Sequence, residues 1–191
     1  MLVECGLVRA TTSDGLEFTF RPSLGRIAAL GHPQEIVELF AGLHGPKAAA
    51  IAPEVLAALC DEDDPTPLIG WPLPAGEGIT WAPGAMPQAE QIVIARHLMR
   101  HGIVGTAKPE AGDGKFTDRF DASEYVAFAR VHLGLSSADA EALSMTEFQQ
   151  MLEMKYPSKA HRDVPTREEY EEQMAAFVAR RAEAANEGAR P

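Results

Sequence analysis

Two histidines four residues apart, His97 and His101, have the spacing best suited to chemistry in this chain. On a helix such a pair faces one way, so the two imidazoles could share a metal ion. Glu90 lies near the same face. A zinc site needs a third and usually a fourth ligand, and Leu98 stands where a helical metalloprotease has its glutamate. His101 also lies near the helix end, where a cationic side chain is favoured. The pair is therefore expected to be structural and metal-free, with a metal-dependent enzyme using His97 and His101 as the alternative.

The other candidates are thinner. Asp61-Glu62-Asp63-Asp64 is a dense acidic run, but it lacks the alternating ligands, central glycine and distant glutamate of a calcium loop. A solvated helix end is the expected reading, although carboxylates there oppose the helix dipole, which keeps a basic partner segment open. Gly112-Asp113-Gly114-Lys115 follows a polar loop where a phosphate loop follows a strand, and Gly102-Ile103-Val104-Gly105 is no dinucleotide fingerprint. Cys5 and Cys60 have no metal spacing and no local partner histidine, and read as small hydrophobes. No catalytic, cofactor-binding or metal residue is expected, and no enzyme.

Composition narrows the classes further. A net charge of −11 repels phosphate backbones, and the basic residues are scattered, so no nucleic-acid role is expected. The most apolar run, Ile92 to Ala95, is far too short to cross a bilayer, and no basic-then-apolar leader is visible at the start. With 191 residues, 46% of them hydrophobic, a real core is expected in a soluble cytoplasmic protein.

The elements that must carry these residues are mainly helical. Residues 1–157 read as one compact helical bundle with an N-terminal β-hairpin over 1–22. Its strands, Leu2 to Ala10 and Leu16 to Phe20, flank a turn ending in Asp14-Gly15, with Phe18 and Phe20 on one face. Ser23 caps a short helix, Pro33 opens the next, and a third runs from Pro53 to Cys60. The Pro/Gly-rich stretch 61–87 is expected as a loop in which Trp71 and Trp81 pack. The core helix runs from Pro87 to Arg100 and is closed by Gly102. Ala107 to Lys115 is a surface loop. Asp121 and Glu124 open the helix to Leu133, with Gly134 as its stop, and Ser137 caps a short helix. Ser144 and Glu147 form a capping box for the helix to Met154. Residues 158–191 read as a polar tether and a last helix, from about Thr166 to Asn186. Tyr170, Met174, Phe177 and Val178 make its single apolar stripe, the candidate partner-binding face.

Several segments carry a resemblance. Phe20-Arg21-Pro22-Ser23-Leu24, Gly31-His32-Pro33-Gln34-Glu35-Ile36-Val37, Leu68-Ile69-Gly70-Trp71, Gly84-Ala85-Met86-Pro87, His101-Gly102-Ile103-Val104-Gly105, Ser144-Met145-Thr146-Glu147-Phe148-Gln149 and Lys155-Tyr156-Pro157 resemble an uncharacterised family of tailed-phage and prophage proteins. The Ser-Met-Thr-Glu-Phe segment looks like a region of phage tail assembly chaperones. The resemblance implies a chaperone for the tape measure or tail tube protein in the host cytoplasm, binding no nucleic acid, membrane or cofactor. A structural virion component, such as a tail completion or connector subunit, is the alternative.

Overall fold

The computed structural model describes residues 5–76, 78–106 and 118–157, together with residues 167, 171, 174 and 177. The chain divides into two units, Met1–Lys155 and Tyr156–Pro191. The expected loop 107–115 lies outside the described residues.

Unit 1 is mainly α. Strands β1 (Val8–Thr11) and β2 (Glu17–Phe20) pair antiparallel, Val8 opposite Phe20 and Thr11 opposite Glu17. The turn closes through Gly15 N–H to Thr12 O at 3.0 Å and Thr12 N–H to Leu16 O at 2.9 Å, with Gly15 at a φ of +89°. That dihedral is open to glycine and strained for most other residues, which is why Asp-Gly marks the hairpin. β1 is shorter than the sequence predicts. Phe18 and Phe20 share the buried face.

Five helices follow with two more strands: α1 (Leu24–Ala28), α2 (Pro33–Gly42), α3 (Ala48–Leu59), α4 (Thr66–Ile69), β3 (Trp71–Ala75), β4 (Gly78–Ala82) and α5 (Gln88–Met99). Ser23 Oγ accepts the Arg26 N–H at 3.4 Å and caps α1. The third helix starts five residues before the expected Pro53. Pro53 has no N–H for the Ala49 carbonyl, its i−4 group, and the amide of Gln88 reaches that carbonyl at 3.5 Å.

The expected loop 61–87 is instead α4 and a second hairpin, Trp71 opposite Ala82 and Ala75 opposite Gly78. Pro72 and Pro74 alternate with Trp71, Leu73 and Ala75. The ladder runs through the latter set, so the prolines occupy positions whose missing N–H points away from β4. Trp81 is half-buried against the core, whereas Trp71 is 50% exposed, against the expectation that both pack.

The core lies between α3 and α5. Ala52, Val55, Leu56 and Leu59 are buried with Ala95, Leu98 and Met99, joined by Phe20, Leu24, Ile27 and Ile36. Each large side chain so buried contributes about 1.5–3 kcal/mol. α5 does not stop at Gly102. It continues as a wider π-helical turn, Arg100–Val104, and ends at Gly105, with φ of +71°. Gly102 is a packing residue: a Cβ there would lie 2.7 Å from Ile27 Cδ1.

The remaining helices of unit 1 are α6 (Ala122–Phe128, extended by a π turn to Leu133), α7 (Ser137–Ala142) and α8 (Met145–Lys155). Asp121 caps α6, and Gly134 ends its extension in the left-handed region. Ser136 rather than Ser137 caps α7, its Oγ accepting the Asp139 N–H at 3.1 Å. The sequence offers two adjacent serines, and the one outside the helix does the capping. In unit 2, residues 167, 171, 174 and 177 are helical.

Candidate functional site

The stripe expected on the last helix is described at two of its four positions. Met174 and Phe177 are helical and three residues apart, so their side chains are neighbours on the helix surface. They are 44% and 59% exposed. Upstream on the helix, Arg167 Nε donates to Glu171 Oε1 at 2.9 Å, an i, i+4 ion pair. Tyr170 and Val178 lie outside the described residues. What its described residues offer is apolar area and an ion pair.

The histidines occupy the end of α5. Their ring centroids are 4.5 Å apart, and His101 Nδ1 lies 2.8 Å from Thr146 Oγ1 on α8. Thr146 is fully buried. Burial lowers the pKa of both rings, aided by Arg100 at His97 and by His97 and Arg100 at His101. Among the described residues no group of three His, Cys, Asp or Glu side chains gathers as a metal would need.

The acidic run is engaged by its own protein. Asp61 pairs with Arg21 at 3.3 Å and with Arg26 at 3.2 Å. Glu62 Oε2 accepts the Thr19 N–H at 2.7 Å and the Cys60 thiol at 3.2 Å. Burial pushes this carboxyl up, and the Thr19 N–H, the Cys60 thiol and Arg26 outweigh it and hold it below its ordinary value. Asp64 accepts from both the hydroxyl and the N–H of Thr66, and those bonds lower its pKa. The Arg26 guanidinium also donates to the carbonyls of Ala58 and Cys60. A cation therefore sits at the C-terminus of α3 and offsets the unfavourable dipole that the carboxylates meet there.

Cys60 is buried, and burial, more than the carboxylates beside it, raises its thiol to about 11. It is protonated at neutral pH and unsuited to nucleophilic attack.

The shared-looking segments mostly meet one another. Ser23 and Ser144 form an antiparallel bridge, supported by Leu24 N–H to Leu143 O at 2.7 Å. Gln149 donates to Val104 O at 2.9 Å and accepts the Thr106 N–H at 2.8 Å, closing the π turn. Met86 N–H donates to Leu68 O at 2.8 Å, joining the Leu68–Trp71 and Gly84–Pro87 segments. These motifs hold the fold together. Sequence reasoning missed the exposed Val131 and Met154, which lie outside any recognisable stripe.

A family model described as a family of unknown function (DUF6246) matches residues 44–172. No curated protein and no solved structure matches.

Proposed function

We propose a protein-binding role for this chain, which belongs to the family of unknown function DUF6246: it holds the tape measure or tail tube protein during phage tail assembly in the host cytoplasm. The observation that carries the binding role is the exposure of Met174 and Phe177 on neighbouring positions of one helix. Apolar side chains so presented lose contact with water when a client helix lies on them, each contributing about 1.5–3 kcal/mol when fully buried. The choice of client rests on the likeness of Ser144–Phe148 to tail assembly chaperones. A chain of net charge −11 also discourages nucleic acid as the partner.

Co-expression with the tape measure protein and, separately, the tail tube protein tests this. The wild-type chain is expected to co-purify with one of them, and Met174→Glu with Phe177→Glu to lose it while keeping the same helical content. Retention by the double variant rules this face out.

A further inference from the structure

A cleft of about 340 Å³ opens between α3, α5 and the segment after β4. Pro53, Trp81, Pro83 and Met86 form its apolar walls, and Gln88 and Gln91 line it from α5. No charged side chain lines it. Gln91 is only 5% exposed, and its amide nitrogen donates to Ile69 O and Met86 O, both at 3.0 Å. Only an NH₂ group can make both bonds, so the orientation of the amide follows from its partners. Its Oε1 accepts no hydrogen bond from a described residue and is not fully sealed from solvent. This oxygen is therefore an open acceptor on an otherwise buried side chain. The Ala49 carbonyl, on the same lining, is reached by the Gln88 amide at 3.5 Å.

We propose that this cleft binds a small neutral molecule carrying an N–H donor on a flat apolar body. Gln91 Oε1 is an acceptor, so the ligand supplies a proton to it. A carboxylate or phosphate can use the Gln88 amide and the Trp81 indole N–H, but it leaves Gln91 Oε1 unmet and buries its charge without a counter-charge. A cation would be buried without a counter-charge. Trp81 favours a flat body. An extended peptide strand is a poorer match, because Pro53, Pro83 and Pro87 have no N–H to offer its carbonyls. The volume falls near the lower end of the range for small-molecule sites, roughly 300–1,000 Å³.

Benzamide and benzoate have one shape and differ in donor against acceptor, which makes them the probes for an NMR titration of the full chain. Benzamide at millimolar concentration is expected to shift the Trp81 indole and Met86 methyl signals saturably. Benzoate should bind about tenfold more weakly, the equivalent of one lost hydrogen bond. Ala49→Leu keeps a good helix former and fills the cleft, so it should abolish the benzamide shifts at an unchanged melting temperature. Benzoate binding as tightly as benzamide, no saturable benzamide shift, or undiminished binding to folded Ala49→Leu would each overturn the proposal. So would a blocked tri-alanine peptide that binds more tightly than benzamide, since the occupant would then be a partner's chain.

Discussion

The His101 ring meets the Thr146 hydroxyl at 2.8 Å and so ties the π-helical end of α5 to the first turn of α8. The His97 ring lies tilted against that of His101, 4.5 Å away between ring centroids. Burial lowers both histidine pKa values from the ordinary 6.5. Folding thus favours the neutral rings, and the unfolded chain binds more protons below that pH. The stabilisation is complete above about pH 6.5 and is lost as pH falls through the lowered folded values. The shifted carboxylates Glu62, Asp64 and Asp121 are lowered and act below the ordinary carboxylate range, outside the window of His97 and His101. The melting temperature should fall between about pH 7 and pH 5, and His97→Gln with His101→Gln should flatten the slope. An equal slope in the double variant assigns the pH dependence elsewhere.

The same pair is expected to hold no metal. Protein purified without an affinity tag should contain no stoichiometric zinc, iron or nickel by elemental analysis. One ion per chain, lost on His97→Ala, would restore the metalloenzyme reading.

Ser144 and Glu147 form a reciprocal cap. Glu147 N–H donates to Ser144 Oγ at 3.2 Å, and Ser144 N–H donates to Glu147 Oε2 at 2.8 Å. Ser144→Ala should lower stability by about 0.5–2 kcal/mol, measured by denaturant unfolding, with client binding by the folded protein unchanged. Normal stability with lost binding would make Ser144 a contact residue.

Gly84 lies against backbone. A Cβ there would stand 2.5 Å from Leu68 O and 2.7 Å from Ile69 C, neither of which can swing aside. Gly84→Ala should destabilise by about 3 kcal/mol, at the upper end for overpacking. Gly134→Ala has a positive φ but nothing within 4 Å, and should cost about 1–2 kcal/mol from the backbone alone. Equal losses in the two variants would show that the α4–β4 contact is looser than described.

Local signals were legible where one residue type answers one local need. Asp14-Gly15 gave away the first hairpin, Ser23 and Ser144 two helix starts, and Gly134 a helix end. The second hairpin was hidden because Pro72 and Pro74 argue against a strand unless their partner lies on one known side. Gly102 read as a stop, and only its approach to Ile27 shows it to be a contact. Met174 and Phe177 are helical, as their spacing in the sequence suggests. The cleft was not legible, since Ala49, Trp81 and Gln91 come from three segments that no local pattern connects. The acidic run is mostly exposed, as a solvated helix end would be, but sequence alone does not show that Asp61 meets Arg21 and Arg26 and that Glu62 meets Thr19, up to 43 residues away in the chain.

The central claim is that the last helix serves a client and not the stability of unit 1. Short isolated helices are marginal in water, and a helix gains order when its apolar face is covered. Truncation after Pro165, with melting temperature and client binding measured on the same preparation, tests this most directly. The account predicts a melting temperature close to that of the full chain and no co-purification with tape measure or tail tube protein. A large fall in melting temperature, with binding retained by the folded fraction, would contradict it.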